Sequence, residues 1–410
     1  MINQKRFLNK IASFNYKFMF MNLAIATLIM SPILDLMFTY SINLDTFSTK
    51  WTIFICLIAI LTNLRNIKIN KVKIFFVIFI LIFYVSSSFF LKQHGVTTIA
   101  IILWCLLPLF IVDFKYDVEK ILRYCLYYAT LLVFSFNRIM TETQVPTIRF
   151  SQVELYVSYS LVIIGTALIF HFVYYRNKAT KLVKVLYLLQ TFYLISYIGR
   201  IARGSLLVII VSIFACMIGR YKGEERIKTQ MRLFLFIFLA IILFIFVSEN
   251  IEKIIYILNN TVQRFGIDVG AINKSLYFFN KGNISNGRND FFQIALDYFK
   301  QKPIIGNGIG TFTNKNMYGI AFVHNFILQF LYEGGIILTI PILILVFKAV
   351  VATLNMYNLT KDLYVIIAFL TCNIIVKLCF SSNPWESLMF WLLLGIILNN
   401  TSKLRKIRLK

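Results

Sequence analysis

Apolar segments long enough to cross a lipid bilayer recur along the whole chain, and they constrain the fold more than any other feature. Most run for about 15 to 25 residues, which suits membrane helices rather than the alternating strands of about ten residues found in membrane barrels. The chain of 410 residues is 59% hydrophobic and only 14% charged, too apolar for a water-soluble fold. Because backbone N–H and C=O groups must be paired inside hydrocarbon, the segments are predicted to be helices.

The predicted fold is all-α, a polytopic membrane helix bundle of about twelve transmembrane helices that forms one integral membrane domain over residues 1–410. The predicted spans are 18–40, 51–64, 74–91, 96–112, 122–138, 152–175, 183–198, 204–218, 233–248, 322–347, 363–380 and 387–399. The run at 18–40 follows a basic N-terminus, as a secretory signal would. It is too long and lacks a small-residue cleavage pattern, so it is interpreted as the first span.

The distribution of Lys and Arg gives this bundle an orientation. The net charge of +25 arises in short loops between apolar segments, which indicates topology and not a nucleic-acid partner. With the N-terminus inside, the inner loops hold most cations, and the short outer loops hold only Lys50, Lys92, Arg138, Arg149, Arg200 and Arg203. Both termini are therefore predicted to be cytoplasmic. The cysteines all fall within predicted spans, where they act as small apolar residues, so no disulfide and no metal site are expected.

The segment 249–321 differs from the rest of the chain because it is long, polar and rich in Asn and Gly. It is predicted to be a large extracytoplasmic loop between the ninth and tenth spans, and loops of this length are usually functional or disordered. Within it, Phe291, Ala295 and Tyr298 recur at helical spacing. This predicts a short amphipathic helix at 289–301, lying on the membrane surface or against the bundle.

Two arginines, Arg200 and Arg203, stand at the predicted outer junction of the seventh and eighth spans. A guanidinium group binds phosphate bidentately and keeps its charge, which suits the binding of a pyrophosphate. Either arginine alone is equally well explained as a side chain that reaches the lipid head groups. The scarcity of other cations in the short outer loops favours the binding role for the pair.

A glycine-rich stretch at 303–310 follows Arg288 and resembles a loop that cradles phosphate. However, no strand precedes it and no Lys-Ser/Thr pair follows it, so neither the dinucleotide fingerprint nor the P-loop pattern is met. Turn geometry alone also explains the glycines. Arg288, taken alone, is equally a solvated loop charge.

The tenth predicted span carries His324 and Asn325 near its start and Glu333 further along the helix. A helix N-terminus favours an anion, and histidine donates to phosphate or accepts a proton near neutral pH. An acid within an apolar helix is a functional candidate by default. The alternatives are that Asn325 is an ordinary helix N-cap and that Glu333 pairs with an arginine for structural reasons.

In their order along the chain, these motifs resemble the signature of the O-antigen ligase and O-antigen polymerase family. The matching motifs are Arg288, Pro303-Ile-Ile-Gly306-Asn-Gly308, His324-Asn325 and Glu333-Gly334-Gly335, with Arg203-Gly204-Ser205 similar to the upstream arginine motif. Each motif is weak alone, whereas the ordered set in a late outer loop is fairly specific. The extra Arg200 departs from the pattern and leaves open which arginine points into the site.

The resemblance implies a metal-independent glycosyltransferase in the bacterial cytoplasmic membrane that needs no cofactor and uses a glycan carried on undecaprenyl pyrophosphate. Pyrophosphate is a good leaving group, so the protein need only stabilise negative charge, orient an acceptor hydroxyl and accept its proton. The base is left open between His324 and Glu333. The predicted catalytic residues are His324, Arg288 and Glu333, and those predicted to bind the pyrophosphate are Arg203, Arg200 and Asn325.

Three functions are compatible with this pattern. The first is a polymerase that joins lipid-linked repeat units into an O-antigen or capsular polysaccharide, with membrane lipid and a chain-length regulator protein as further partners. The second is a ligase that moves a finished glycan to a lipid or protein acceptor. The third is a transporter of lipid-linked sugars, which predicts inverted repeats with broken helices. The sequence contains neither an internal repeat nor matched interrupted segments.

Overall fold

The computed structural model describes residues 16–41, 47–64, 70–90, 105–143, 152–196, 203–220, 288–312, 322–354, 359–380 and 382–401, and a few single positions besides. Every regular element among these residues is helical, and none of them forms a strand. The prediction of an all-α fold is therefore confirmed.

The helices are α1 (Tyr16–Asp35), α2 (Phe47–Asn63), α3 (Lys71–Phe90), α4 (Leu107–Ile111), α5 (Val118–Thr143), α6 (Gln152–Tyr175), α7 (Lys181–Ser196), α8 (Arg203–Arg220), α9 (Arg288–Gln301), α10 (Phe326–Leu354), α11 (Lys361–Phe380) and α12 (Leu388–Asn399). A π-helical turn, Leu36–Ser41, continues α1. These labels follow the described helices and do not count membrane spans, since α4 has only five residues.

Four stretches of the described chain are long and apolar enough to cross a membrane: Tyr16–Phe38, Val157–Lys178, Phe326–Leu354 and Lys361–Cys379. Large apolar side chains such as Phe75 and Phe192 are about three-quarters exposed, at 74% and 75%, as expected of a surface that faces lipid. The chain is thus a helical membrane protein. The number of spans, about twelve, stays a prediction, and the predicted span 233–248 lies outside the described residues.

The centre of the bundle holds α11 and α12. α12 is buried along almost its whole length, and α11 packs against α6, α8, α10 and α12. A helix that is apolar on every side belongs in such a central position. The first turn of α10 rests on α12, with ring centroids 6.4 Å apart for Phe326 and Phe390 and 6.1 Å apart for Phe330 and Phe390. The start of α10 is therefore held against a rigid core.

Helix α10 is broken at Gly335, which has φ 57° and ψ −158°. The sequence analysis predicted one span at 322–347 and no break, because the apolar pattern continues across the two glycines. A side chain at this position would collide with the backbone, since a Cβ on Gly335 would lie 2.3 Å from the carbonyl oxygen of Ile304. The break leaves backbone groups in both halves without intrahelical partners, and these must be paired elsewhere.

Helix α9 covers the segment for which an amphipathic helix is predicted. Its buried residues Phe291 and Ala295 pack with Val323, which precedes α10, and with Tyr332 within α10. Its opposite face is exposed, and there Lys300 Nζ lies 3.3 Å from an Asp297 carboxylate oxygen. α9 therefore rests on the bundle. The extent of the loop 249–321 and the side of the membrane on which it lies stay predictions.

Candidate functional site

The glycine-rich segment 303–310 fills the break in α10. Its main chain pairs with the groups that the break leaves unbonded in both halves of the helix. The bonds run from Asn307 N to Tyr332 O (2.8 Å), from Gly308 N to Glu333 O (2.9 Å), from Ile336 N to Pro303 O (2.8 Å) and from Ile337 N to Ile304 O (3.2 Å). The loop and the broken helix thus satisfy one another, which is how irregular backbone is tolerated in a membrane protein.

The glycines of this segment allow that close contact. Gly306, with φ 70°, lies so near α10 that a Cβ would approach the backbone of Glu333 to 2.5 Å. The N–H groups that would face a phosphate are already used by the protein, because those of Asn307, Gly308 and Gly310 donate to acceptors on α10. The turn interpretation of these glycines therefore agrees with the geometry, and a phosphate-cradling loop does not.

Glu333 joins three parts of the site and is fully buried. Its Oε1 accepts hydrogen bonds from Gly310 N (2.8 Å) and from Gln329 Nε2 (2.6 Å). Its Oε2 accepts from Trp385 Nε1, in the segment before α12. Both carboxylate oxygens thus have protein donors, and these are a backbone amide, a carboxamide and an indole rather than the arginine that the sequence analysis considered. A buried and fully bonded carboxylate has no open face for a sugar hydroxyl.

Gln329 is a residue of the site that the sequence analysis missed. It is buried, and its Oε1 accepts a hydrogen bond from the backbone N–H of Val323 at 2.7 Å. A signal for it was available, because Gln329 and Glu333 stand four residues apart on one face of an apolar helix. Two polar side chains at that spacing in a membrane span are close enough to hydrogen-bond to each other, and the surrounding lipid offers no other partner.

His324 has a strained backbone and sits between aromatic rings. Among the described residues, His324 is the one residue other than glycine whose φ is positive, at 62°. The centroid of its ring is 4.4 Å from that of Phe322 and 6.2 Å from that of Phe291. Within the part of the chain that the structure describes, its buried Nδ1 has no hydrogen-bond partner. Strain of this kind concentrates at functional sites.

Arg288 begins α9 and reaches the neighbourhood of His324, which precedes the apolar helix. Burial, and secondarily the positive charge of Arg288, lower the pKa of His324 to about 4. The imidazole is therefore neutral at physiological pH and can accept a proton or donate one hydrogen bond. The structure thus brings together two predicted catalytic residues that are far apart in the sequence.

Asn325 caps helix α10. Its Oδ1 accepts hydrogen bonds from the backbone N–H groups of Ile327 (3.0 Å) and Leu328 (3.2 Å). This is the N-cap role that the sequence analysis gave as the alternative. Its role in binding pyrophosphate stays a prediction.

The two upstream arginines are only partly described. Arg203 is the first residue of α8, its side chain lies outside the described residues, and so does the whole of Arg200. The start of α8 is fixed to α6 by a hydrogen bond of 2.8 Å between the hydroxyl groups of Ser158 and Ser205. The roles of both arginines in binding pyrophosphate stay predictions.

A helical membrane protein with an arginine and a neutral histidine at the start of a capped helix has the parts needed to bind and displace an anionic leaving group. Residues 192–343 match the model of a family described as O-antigen ligase, which confirms the family resemblance. The matched segment is less than half of the chain, and it supports a function of the O-antigen ligase or polymerase type. All the predicted site residues lie within the match. No curated protein matches the chain.

Proposed function

We propose that the protein is a polymerase of O-antigen or capsular polysaccharide. It transfers the growing glycan from undecaprenyl pyrophosphate to the non-reducing end of a new lipid-linked repeat unit, on the outer face of the cytoplasmic membrane. The observation that carries glycan transfer is the meeting of Arg288 and His324 at the N-terminus of α10, inside the segment that matches the family. A chain-length regulator protein is a proposed partner.

The reaction is a single displacement. The bond between the anomeric carbon and the pyrophosphate oxygen breaks with its electron pair leaving on the phosphate, while the acceptor oxygen bonds to that carbon and inverts it. Arg288 and the N-terminus of α10 stabilise the leaving anion. The acceptor proton passes to a ring nitrogen of His324. The bound pyrophosphate offsets the positive charge of Arg288, so the pKa of His324 rises when the donor arrives.

The geometry of Glu333 argues against its use as the base. Because both carboxylate oxygens are bonded to buried donors, Glu333 is assigned a structural role and His324 the chemical one. Arg203 and Arg200 are proposed to bind the pyrophosphate, on the strength of the family pattern. The outer location of the site rests on the distribution of Lys and Arg among the loops.

A ligase is the second candidate, because the matching family is itself described as O-antigen ligase. It would use the same donor and the same Arg288–His324 pair with a different acceptor. Transport is disfavoured by the break in α10. Broken helices in transporters expose backbone groups to substrates or ions, whereas here the groups freed at Gly335 are bonded to the segment 303–310.

The test supplies purified protein in lipid with only the undecaprenyl-pyrophosphate-linked repeat unit and separates the products by length. A ladder of products supports the polymerase, and products that need an added acceptor support the ligase. No product in either case would overturn glycan transfer.

Arg288→Ala tests the site in the same assay. We expect product to fall about 10²-fold to 10³-fold, because one fixed donor to the developing charge is lost. The matched control is Lys300→Ala on the same helix, whose side chain is exposed and pairs only with Asp297 in the described structure. Equal activity in the two variants would contradict the assignment of Arg288.

A further inference from the structure

We propose that Gln329 and Glu333 act as a pair of positioning residues that hold the backbone of His324 in its left-handed conformation. The inference rests on the proposed function for its consequence in catalysis. It rests on three hydrogen bonds for its geometry: Gly310 N to Glu333, Gln329 Nε2 to Glu333, and Val323 N to Gln329.

The Glu333 carboxylate fixes the orientation of the Gln329 carboxamide. A carboxylate only accepts hydrogen bonds, so the Gln329 group that faces Glu333 must be the NH₂ group. The carbonyl oxygen Oε1 then points the other way, where it accepts from the backbone N–H of Val323. A protonated or amide side chain at position 333 can also donate, so it would no longer force the NH₂ group of Gln329 to face it.

His324 stands between two residues, Val323 and Asn325, whose positions are fixed by hydrogen bonds. Val323 is buried, and its N–H is bound by Gln329. On the other side, Asn325 is committed to capping α10 through its side chain. The single residue between them absorbs the change in chain direction, and it does so with φ 62°. Residues held in such a conformation need a surrounding structure that compensates the strain.

Glu333 links the turn at His324 to the rest of the site. Glu333 is itself fixed by Gly310 from the glycine segment and by Trp385 from the segment before α12. The pair therefore transmits the position of these two segments to His324. A small misplacement of a reacting group lowers turnover without necessarily changing substrate affinity.

The test compares Gln329→Leu with Gln190→Leu. Gln190 is also buried in an apolar helix, where its Nε2 donates to the carbonyl of Leu126 at 2.7 Å, so its replacement controls for the loss of a buried carboxamide. We expect Gln329→Leu to lower kcat about tenfold to a hundredfold with KM changed less than about twofold. A kcat for Gln329→Leu equal to that of Gln190→Leu would overturn the inference.

A rescue experiment separates positioning from a general loss of structure. Gln329→Glu alone sets two carboxylates against each other, so we expect it to lose activity. Adding Glu333→Gln removes the repulsion between the two carboxylates and keeps an acceptor for Val323 N–H, although the new NH₂ group must face one of the donors Gly310 N–H and Trp385 Nε1–H, so the recovery is expected to be incomplete. The double variant should recover part of the lost kcat, and the absence of any recovery would contradict the pair.

A readout that needs no activity keeps the two proposals apart. The chain has only three histidines, so NMR signals from labelled imidazoles can be assigned by single replacements. We expect the ring resonances of His324 to move in Gln329→Leu and to stay unchanged in Gln190→Leu. If the wild type forms no glycan product with any acceptor, the proposed function fails while this shift still tests the pair. Unchanged His324 resonances in Gln329→Leu would refute the positioning role.

Discussion

Two histidines of this protein, His171 and His324, have opposite surroundings. His171, in α6, is fully buried and uses both ring nitrogens, with Nδ1 2.5 Å from the hydroxyl of Tyr187 and Nε2 3.3 Å from a Glu119 oxygen. His324 has a strained backbone, and its buried Nδ1 has no partner among the described residues. The first lies where α6 meets α5 and α7, which carry Glu119 and Tyr187. The second lies at the start of α10.

The difference fits a structural role for His171 and the proposed chemical role for His324. A ring whose nitrogens are both bonded links helices and has nothing left to offer a substrate. Around His171, Arg123 also donates to Glu119, at 2.9 Å, so side chains satisfy one another. Around His324 the main chain of the neighbouring segments carries the bonding, which leaves the ring available. The comparison predicts that changes at one histidine affect stability and changes at the other affect activity.

The largest effect is expected at His324. We expect His324→Gly to lower the rate of glycan transfer about 10²-fold to 10⁴-fold, because the proton acceptor is lost. Its melting temperature should stay the same or rise, since glycine adopts a positive φ without strain. Initial rates and thermal unfolding of the purified variant give both quantities. A variant that unfolds early, or one that keeps its rate, would break the comparison.

Gly306→Ala should have the next largest effect. The new Cβ would lie 2.5 Å from the backbone of Glu333 at a position with φ 70°, so we expect about 2 to 4 kcal/mol of destabilisation. Activity should fall with it, because the segment 303–310 can no longer fill the break in α10. The control is Gly165→Ala, whose Cβ would meet Leu194 Cδ1 at an ordinary 3.4 Å. Denaturant unfolding of the two variants should separate them clearly, and equal stability would refute the tight docking.

His171→Leu should show the reverse of His324→Gly. Removing the ring leaves Glu119 and Tyr187 short of a partner, which costs about 1 to 3 kcal/mol. Below its lowered melting temperature the variant should transfer glycan at close to the wild-type rate. A loss of activity in folded His171→Leu protein would show that the two histidines do not divide their roles in this way.

The smallest effect is a change of pH profile. Burial, followed by the charge of Arg288, lowers the pKa of His324 to about 4. The protonated, inactive ring therefore accumulates only as the pH falls towards that value, whereas an ordinary histidine would protonate near pH 6.5. We expect kcat/KM, which reports the free enzyme, to stay level from about pH 8 to about pH 5. In Arg288→Gln the acid limb should move to higher pH, and a wild-type limb near pH 6.5 would contradict the assignment.

The helical fold and the site pair were within reach of the sequence, for different reasons. Apolar runs and their length predict membrane helices because hydrocarbon admits little else. The pairing of Arg288 with His324 came from the family motif, since nothing in the spacing of two distant residues sets their separation. The N-cap role of Asn325 was given as an alternative because a short polar side chain before an apolar run is a local signal.

The break at Gly335 and the partners of Glu333 could not be predicted in the same way. Two glycines within an apolar run do not interrupt its hydropathy, and the groups that fill the break come from the distant segment 303–310. A charged partner for Glu333 was only the alternative to a catalytic role, and the partners that the structure shows, an indole and a backbone N–H, carry no charge pattern to detect. The four-residue spacing between Gln329 and Glu333 could have predicted their contact, but the contact of Gln329 with Val323 depends on the turn at His324.

The most direct test of the central claim, that Arg288 and His324 break the bond between sugar and pyrophosphate, is the release of undecaprenyl pyrophosphate by purified protein supplied with lipid-linked repeat units and acceptor. Mass spectrometry of the lipid would compare the wild type with Arg288→Ala, His324→Gly and the controls Lys300→Ala and His171→Leu, each below its melting temperature. The account predicts release by the wild type and by both controls, and almost none by the two site variants. Release at the wild-type rate by folded Arg288→Ala or His324→Gly protein would contradict it.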